Sequence, residues 1–259
     1  MLKIIAILVL VTYVTAVPAV ERFDPRIDIF GDWRIVGGSN APGGGYPFIV
    51  SVRSATGSHF CGGSIINSLN ILTAAHCVVG RTTISTEILA GTNTLNSGGV
   101  TRGSSRLIVH SGYNENTLVN DVGVIRLMMA LTMTNLIAQV PLNTQPTGAV
   151  PSILIGWGRT CTTCGIPNNL QHLNTQTLTH TACYNIWGNA VHESQICTLT
   201  YSGQGSCTGD SGGPLIQTSN NAQLGIVSFG HASGCAVGWP DVYVRVSYYI
   251  NWIIDAAYS

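Results

Sequence analysis

The stretch Gly209-Asp210-Ser211-Gly212-Gly213-Pro214 places a serine between an acid and two glycines. A serine hydroxyl is a weak nucleophile, and it needs a neighbouring imidazole to take its proton and a carboxylate to fix that imidazole. Both partners occur in other short apolar or glycine-rich motifs, with His76 in TAAHC and Asp121 in NDVGVI. The three motifs together predict nucleophilic catalysis by Ser211.

The serine motif also satisfies G-x-S-x-G, the nucleophile elbow of α/β-hydrolases. That fold requires an acid and then a histidine downstream of the serine. Downstream lie His231, Asp241 and Asp255, and no histidine follows either acid. The chain also lacks the alternation of strands and helices that builds a parallel sheet, so this alternative is rejected.

The composition excludes two further classes of protein. The chain has 259 residues, of which 45% are hydrophobic, and its 11 basic residues balance 11 acidic ones. A disordered chain needs low hydrophobicity and high charge, and a nucleic-acid-binding protein needs a basic surface. The length suits one large or two small domains with a buried core.

Short apolar segments bounded by Gly, Pro, Asn or Ser predict β-strands from residue 35 onward. The expected strands are residues 48–52, 64–72, 106–110, 122–127, 153–156, 215–217, 225–228 and 242–246. This spacing predicts an all-β sandwich or barrel. Only residues 248–258 show the apolar periodicity of a helix. Residues 143–151, with two prolines and a glycine, are the expected boundary between two halves.

The first 34 residues have a different character. Lys3 precedes the apolar run 4–11, and small residues end at Ala16, which is the pattern of a secretory signal peptide. A membrane anchor is the alternative, but the run is short of the roughly 20 apolar residues that a span needs. Residues 17–34 are rich in charge and hold no cysteine. We therefore expect a signal peptide at 1–16, an activation pro-segment at 17–34 and a secreted, extracellular domain at 35–259, with no membrane attachment after signal removal.

The eight cysteines point to an oxidising compartment. They are Cys61, Cys77, Cys161, Cys164, Cys183, Cys197, Cys207 and Cys235. An even number behind a signal peptide predicts disulfides. Zinc is the competing interpretation, but it calls for two close pairs and only Cys161-Thr162-Thr163-Cys164 has that spacing. The same pair is weak as a redox motif because no helix is predicted to follow it.

Six motifs, in this order, resemble the trypsin/chymotrypsin family of serine proteases over residues 35–259. They are RIVGG at 34–38, TAAHC at 73–77, DVGVIRL at 121–127, GWG at 156–158, GDSGGP at 209–214 and VSFG at 227–230. The resemblance implies an all-β fold of two six-stranded antiparallel Greek-key β-barrels with a C-terminal helix and an active site in the cleft between the barrels. The barrels are expected at about 35–145 and 146–246, and the helix at about 247–258.

The same resemblance implies roles for particular residues and a protein or peptide substrate. His76 is the implied general base, Asp121 its orienting partner and Ser211 the nucleophile. Backbone N–H groups of Gly209 and Ser211 are implied to form the oxyanion hole. The residues implied to pair with the substrate backbone are Ser228, Phe229 and Gly230.

The resemblance also implies activation by proteolysis. Cleavage after Arg34 would release the amine of Ile35, which pairs with Asp210 inside the protein because a buried carboxylate is costly without a partner. Ser51 and His59 occupy the family positions that hold this acid in the precursor. The expected partners are a trypsin-like activating protease and protein protease inhibitors, and the enzyme is expected to be a monomer.

Three disulfides follow from the family pattern, and one departs from it. The implied family pairs are Cys61–Cys77, Cys183–Cys197 and Cys207–Cys235. Cys161 and Cys164 have no counterpart among the common pairs and are expected to bridge each other locally.

The implied S1 pocket, which receives the side chain before the scissile bond (P1), departs from that of trypsin. Gly205 occupies the floor, where an acid would select Arg or Lys, while Gly230 is a retained wall glycine and Asp241 occupies the other wall. This pairing resembles arthropod chymotrypsin-like enzymes and serine collagenases. It implies chymotrypsin-like or broad P1 acceptance, with Leu, aromatic residues and Arg. Alternatively, Asp241 turns away to a local partner and leaves an apolar pocket.

No metal or cofactor is expected. Some family members bind calcium in a loop of the first barrel through carboxylates, and this chain has no acid between Glu87 and Glu115. The alternative function is a catalytically silent family member that acts as a binding protein. Such proteins lose a triad residue or an oxyanion glycine, and here all are present.

Overall fold

A computed structural model describes residues 35–258, so the predicted signal peptide and pro-segment lie outside the described residues. The strands are β1 Ser39–Asn40, β2 Ile49–Ser54, β3 His59–Asn67, β4 Asn70–Thr73, β5 Thr86–Ala90, β6 Val100–Val109, β7 Gly123–Leu127, β8 Pro151–Gly156, β9 Gln171–Thr177, β10 Gln195–Leu199, β11 Pro214–Gln217, β12 Gln223–Phe229 and β13 Val242–Arg245. The helices are α1 Ala75–Val78, α2 His180–Trp187 and α3 Ile250–Tyr258, with 3-10 turns at Thr83–Ser85, Gly188–Ala190 and Val246–Tyr248.

Six strands form a first closed barrel in the order β2-β3-β4-β7-β6-β5. Every neighbouring pair in it is antiparallel. Some of these strands alternate apolar and polar residues, and others are apolar throughout. Their apolar side chains meet in a common interior that includes Val50, Ile71 and Ile125, all fully buried. This closure leaves no free sheet edge in the barrel.

The second barrel contains β8-β9-β10-β13-β12-β11 and closes through antiparallel pairing of β11 with β8. Two closed antiparallel barrels and a C-terminal helix confirm the predicted fold. The short strand β1 extends the second barrel, since Ser39 lies opposite His172 of β9. The resemblance had placed Ser39 and Asn40 in the first barrel, at about 35–145, but they pair with β9 of the second.

The C-terminal helix α3 packs on the first barrel. Ile253 and Ala256 belong to the same buried cluster as Ile71 and Ile125. The expected helix at about 247–258 begins later in the structure, at Ile250, because Val246–Tyr248 form a 3-10 helix instead. No helix among residues 35–258 combines the length and apolar character that crossing a bilayer requires.

The expected strand at 64–72 is a hairpin in the structure. β3 ends at Asn67 and β4 begins at Asn70. The Asn67 side-chain oxygen accepts hydrogen bonds from the backbone N–H of Leu69 (2.9 Å) and from Asn70 Nδ2 (3.0 Å). These side-chain hydrogen bonds form the turn between the two strands. Because Leu69 in the turn is apolar, residues 64–72 look like one continuous strand in the sequence.

The helix α2 is not predicted by the apolar pattern. The hydroxyl of Thr179 accepts a hydrogen bond from Ala182 N (3.2 Å) and caps its N-terminus. Cys183 is its only buried residue. The helix is attached by the disulfide from Cys183 to Cys197 and by Trp187, which packs against Phe229 and donates its Nε1–H to the Pro240 carbonyl at 3.0 Å.

Candidate active site

The His76 ring and the Asp121 carboxylate are hydrogen-bonded in the cleft. His76 Nδ1 lies 2.8 Å from Asp121 Oδ2, and His76 backbone N donates to Asp121 Oδ1 at 2.8 Å. The hydroxyl of Ser228 donates to Asp121 Oδ2 at 2.7 Å. The Asp121 side chain is 0% exposed and that of His76 is 25% exposed. Since the carboxylate only accepts hydrogen bonds, Nδ1 carries a proton and the other ring nitrogen, Nε2, faces away from Asp121, 3.7 Å from Cys77 Sγ.

The turn that carries Ser211 is held by both barrels. Gly62 N, in β3, donates to the Ser211 carbonyl at 2.7 Å. Gly212 N donates to the Val227 carbonyl at 2.8 Å, which ties the turn to β12. Ser228, which binds Asp121, lines the same pocket as Ser211. The fold therefore brings the three motifs to one cleft from sequence positions up to 135 residues apart.

The loop before Asp121 is clamped by residues that sequence reasoning missed. Asn120 has a positive φ of 59°, and its side chain donates to the Gly112 carbonyl at 2.8 Å. The Tyr249 hydroxyl, just before α3, donates to Asn120 Oδ1 at 2.7 Å. The sequence signal that could have pointed to this clamp is the asparagine itself, a residue type enriched in the left-handed region, directly before a candidate catalytic acid.

Asp210, directly before Ser211, is fully buried. Its Oδ1 accepts from Gly158 N at 2.7 Å and its Oδ2 from Cys207 N at 3.0 Å. Burial raises the pKa of Asp210 to about 7, against the lowering effect of these two N–H groups. A side chain at Gly156 or Gly158 would overlap this carboxylate. The GWG motif is therefore the wall against which Asp210 packs.

Ser51 and His59 hold Gly209 in the structure, and not Asp210 as the precursor role implied. The His59 Nε2 lies 3.0 Å from the Gly209 carbonyl, and its Nδ1 lies 2.8 Å from the Ser51 hydroxyl. Burial lowers the pKa of His59 to about 4, so the ring is neutral and Nε2 carries its proton. Ile35 is fully buried in the core of the second barrel, packed with Leu215 and other apolar residues.

Two of the predicted S1 residues, Gly230 and Asp241, line a pocket of about 280 Å³ together with Ser211, whereas the predicted floor residue Gly205 is not part of its lining. Asp241 Oδ2 accepts from Ser206 N at 2.5 Å. A Cβ atom at Gly205 would lie 2.8 Å from Asp241 Oδ2, and one at Gly230 would lie 3.2 Å from Oδ1. The Asp241 carboxylate therefore lies between Gly205 and Gly230. Burial raises the pKa of Asp241 to about 7, against the lowering effect of Ser206.

The four disulfides of the structure are the four pairs that the sequence implied. They are Cys61–Cys77, Cys161–Cys164, Cys183–Cys197 and Cys207–Cys235. The Cys61–Cys77 disulfide lies beside His76, and the Cys207–Cys235 disulfide lies in the pocket wall next to Ser206. The sulfur atoms of Cys61 and Cys77 lie near the His76 ring in a cluster of metal-ligand types. Because these two sulfurs are joined to each other, neither offers the thiolate that a metal would need.

Gly212 tests how tightly the serine turn is packed. Its φ is +76°, and a Cβ there would overlap the Thr73 hydroxyl and lie 2.7 Å from the Gly62 carbonyl. We expect Gly212→Ala to displace the turn and lower kcat/KM for a peptide amide by at least about 100-fold, the size of a lost oxyanion donor.

The matched control is Gly57→Ala. Gly57 has a similar φ of +80°, but nothing lies within 4 Å of its added Cβ. It carries the same backbone strain without the clash, so its kcat/KM should stay near that of the parent enzyme. Equal losses in the two variants would contradict the packing argument.

Comparison with known proteins agrees with this geometry. A sequence model described as Trypsin matches residues 35–253. Chymotrypsin-2 of Vespa crabro is 44% identical over 223 residues, which cover 85% of this chain and 98% of that protein. Trypsin alpha-4 of Lucilia cuprina is 36% identical over 264 residues, and Trypsin alpha of Drosophila erecta is 35% identical over 265 residues, with full coverage of both chains in each case. With these matches over most of its length, the chain belongs to the trypsin family and is a serine endopeptidase.

Proposed function

We propose that this chain is a secreted endopeptidase, made as a zymogen, that cuts peptide bonds through an acyl-enzyme on Ser211. The observation that carries the proposal is the buried Asp121 carboxylate bonded to His76 Nδ1 at 2.8 Å, across the cleft from the serine turn. That bond leaves His76 Nε2 as the proton acceptor. The test is a burst experiment with a chromogenic ester, in which the activated enzyme releases one equivalent of alcohol before steady turnover.

The proposed reaction proceeds in two halves. Ser211 Oγ attacks the carbonyl carbon while His76 Nε2 takes its proton, and the resulting oxyanion accepts hydrogen bonds from the N–H groups of Gly209 and Ser211. His76 then protonates the leaving amine as the C–N bond breaks. Water attacks the acyl-enzyme with the same base, and Ser211 regains its proton. Asp121 stays ionised throughout and stabilises the imidazolium.

His59 and Asp210 support the oxyanion hole in this proposal. The Gly209 N–H shares its peptide plane with the Thr208 carbonyl, which accepts a hydrogen bond from Arg159 N at 2.8 Å. His59 Nε2 holds the next peptide plane through the Gly209 carbonyl at 3.0 Å. The Asp210 carboxylate fixes the other side of the turn through Cys207 N at 3.0 Å. Donors that are already oriented cost no reorganisation in the transition state.

Ser228, Phe229 and Gly230 are proposed to pair with the backbone of the substrate. Ser228 and Phe229 are the last two residues of β12 and Gly230 follows the strand, and all three line the pocket next to Ser211. A substrate segment that adds to this edge as a strand would present its P1 side chain to the pocket.

The P1 preference is proposed to be broad. Gly205 stands where an acid would select Arg or Lys, and its lack of charge favours Leu and aromatic residues. The Asp241 carboxylate can meet a cationic P1 side chain when it is ionised. Similar proteins carry both chymotrypsin and trypsin names, which fits a pocket with both features.

The preference for Arg over Phe at P1 should depend on pH. Because the pKa of Asp241 is raised to about 7, the group is neutral below that pH and charged above it. We expect the ratio of kcat/KM for Arg to that for Phe to rise roughly tenfold between about pH 5.5 and pH 8.5. Effects of pH that act on both substrates alike cancel in this ratio.

The control for this pH dependence is Asp241→Asn, which keeps the shape of the side chain. Its ratio should be low and independent of pH, and Asp241→Gly should behave in the same way. An Arg/Phe ratio that is flat in the parent enzyme, or unchanged in the variants, would dismiss the electrostatic role of Asp241.

Activation and location are part of the same proposal. The signal-like residues 1–16 and the charged residues 17–34 support export followed by cleavage after Arg34. The four disulfides suit an extracellular compartment. The proposed partners are protein substrates, a trypsin-like activating protease and protein protease inhibitors, and the proposed form is a monomer.

A further inference from the structure

The loop between β8 and β9 contains a small covalent ring that the proposed function does not use. Cys161 and Cys164 are joined with their Cα atoms 5.0 Å apart, and Cys164 N donates to the Cys161 carbonyl at 3.2 Å. The ring encloses Thr162 and Thr163, both exposed. It is the one disulfide of the described residues that the family pattern does not imply.

Both ends of this loop contact Thr208 and Gly209, in the turn before Ser211. Before the ring, Arg159 N donates to the Thr208 carbonyl at 2.8 Å. After the ring, Ile166 packs over Gly209, where an added Cβ would lie 2.8 Å from Ile166 Cδ1. The ring therefore lies between two anchors and has a fixed position beside the cleft.

Thr162 reaches from the ring into the wall of the S1 pocket. It lines the same pocket as Ser211 and Asp241. An added Cβ at Gly234 would lie 3.1 Å from Thr162 Oγ1 and 3.4 Å from its Cγ2, so the two residues are in contact. Gly234 precedes Cys235, whose disulfide forms that wall. The Thr162 side chain thus closes the pocket on its Gly234 side.

The backbone of the ring supports this placement. The Cys161 carbonyl lies 3.9 Å from Cys207 Sγ, so the small ring stands against the Cys207–Cys235 disulfide. Arg159 Nη1 donates to the Thr162 carbonyl at 3.4 Å. A residue in an open loop of this kind would lose rotational freedom on binding substrate, whereas the ring removes that freedom in advance.

We propose that the Cys161–Cys164 ring is a specificity element that holds Thr162 as a wall of the S1 pocket. This inference rests on the proposed function. The methyl group of Thr162 encloses the apolar part of a P1 side chain, so Leu and Phe benefit from it more than Ala. An Arg side chain depends less on this wall, because its charge meets Asp241 on another side of the pocket.

The test is a P1 panel of Ala, Leu, Phe and Arg peptides that are otherwise identical, measured on the activated full-length enzyme. For Thr162→Gly we expect KM for Leu and Phe to rise about threefold to tenfold, with KM for Ala and all kcat values nearly unchanged. Thr162→Val keeps the shape and should restore the parent profile. Cys161→Ser/Cys164→Ser should shift the panel in the same direction as Thr162→Gly.

The matched control is Thr163→Gly, which sits in the same ring but does not line the pocket. Its panel should equal that of the parent enzyme. The proposal is overturned if Thr162→Gly and Thr163→Gly give the same panel, or if all four substrates weaken by one common factor. Burst titration of the parent enzyme distinguishes failure of this inference from failure of the proposed function. A full burst, with a Thr162→Gly panel equal to that of the parent, contradicts only this inference. The absence of a burst contradicts the proposed function.

Discussion

Replacing Asp121 with Asn is expected to lower kcat by about 10⁴-fold while KM changes little. The carboxylate accepts hydrogen bonds from His76 N, His76 Nδ1 and the Ser228 hydroxyl, all within 2.8 Å. An amide has only one oxygen, so its nitrogen must face one of these donors. The histidine then adopts the tautomer with its proton on Nε2, which cannot take the proton of Ser211.

The measurement is kcat and KM for a peptide amide substrate on the activated variant. Asp255→Asn is the matched control, because Asp255 is an exposed acid on α3 and its loss should leave kcat unchanged. A drop of less than about tenfold in Asp121→Asn would contradict the role of Asp121, since removal of a triad member from such a site costs far more.

Replacing Arg34 with Gln is expected to leave the chain inactive after treatment with trypsin, at least about 100-fold below the activated parent. The physical reason is the buried Asp210, whose pKa burial raises to about 7. The carboxylate needs a cation to remain ionised beneath the oxyanion turn, and the amine of Ile35, released by the cut, is the proposed source.

The measurement is amidase activity before and after trypsin treatment, with the new N-terminus read by sequencing. Arg22→Gln is the matched control, because it removes another arginine of the same pro-segment and should activate normally. Full activity of Arg34→Gln, with no new terminus at Ile35, would overturn the activation mechanism.

The sequence was sufficient for the fold and for the motifs that form the cleft. His76, Asp121 and Ser211 lie in short motifs whose neighbours are themselves constrained, such as the glycines at 209 and 212 with φ of 104° and 76°. Short apolar segments between turn residues marked most barrel strands. The hairpin at Asn67 and the helix α2 could not be predicted, because neither segment shows the apolar periodicity typical of its secondary structure.

The finer contacts of the site depend on the tertiary structure. Asp241 receives Ser206 N from 35 residues away, and His59 meets Gly209 from 150 residues away. Nothing in the local sequence encodes these pairs, because they form only when two barrels close around one cleft. The contact of Thr162 with Gly234 is of the same kind, and the lone cysteine pair of its ring gave no indication of it.

The most direct test of the account is to label the activated enzyme with a fluorophosphonate and locate the label by peptide mass. We expect one label per chain, on Ser211, and none on the uncut precursor, on Ser211→Ala or on the parent enzyme already acylated by an ester. Failure of the activated parent to react, or a label that persists in Ser211→Ala, would contradict the central claim that this serine is the nucleophile.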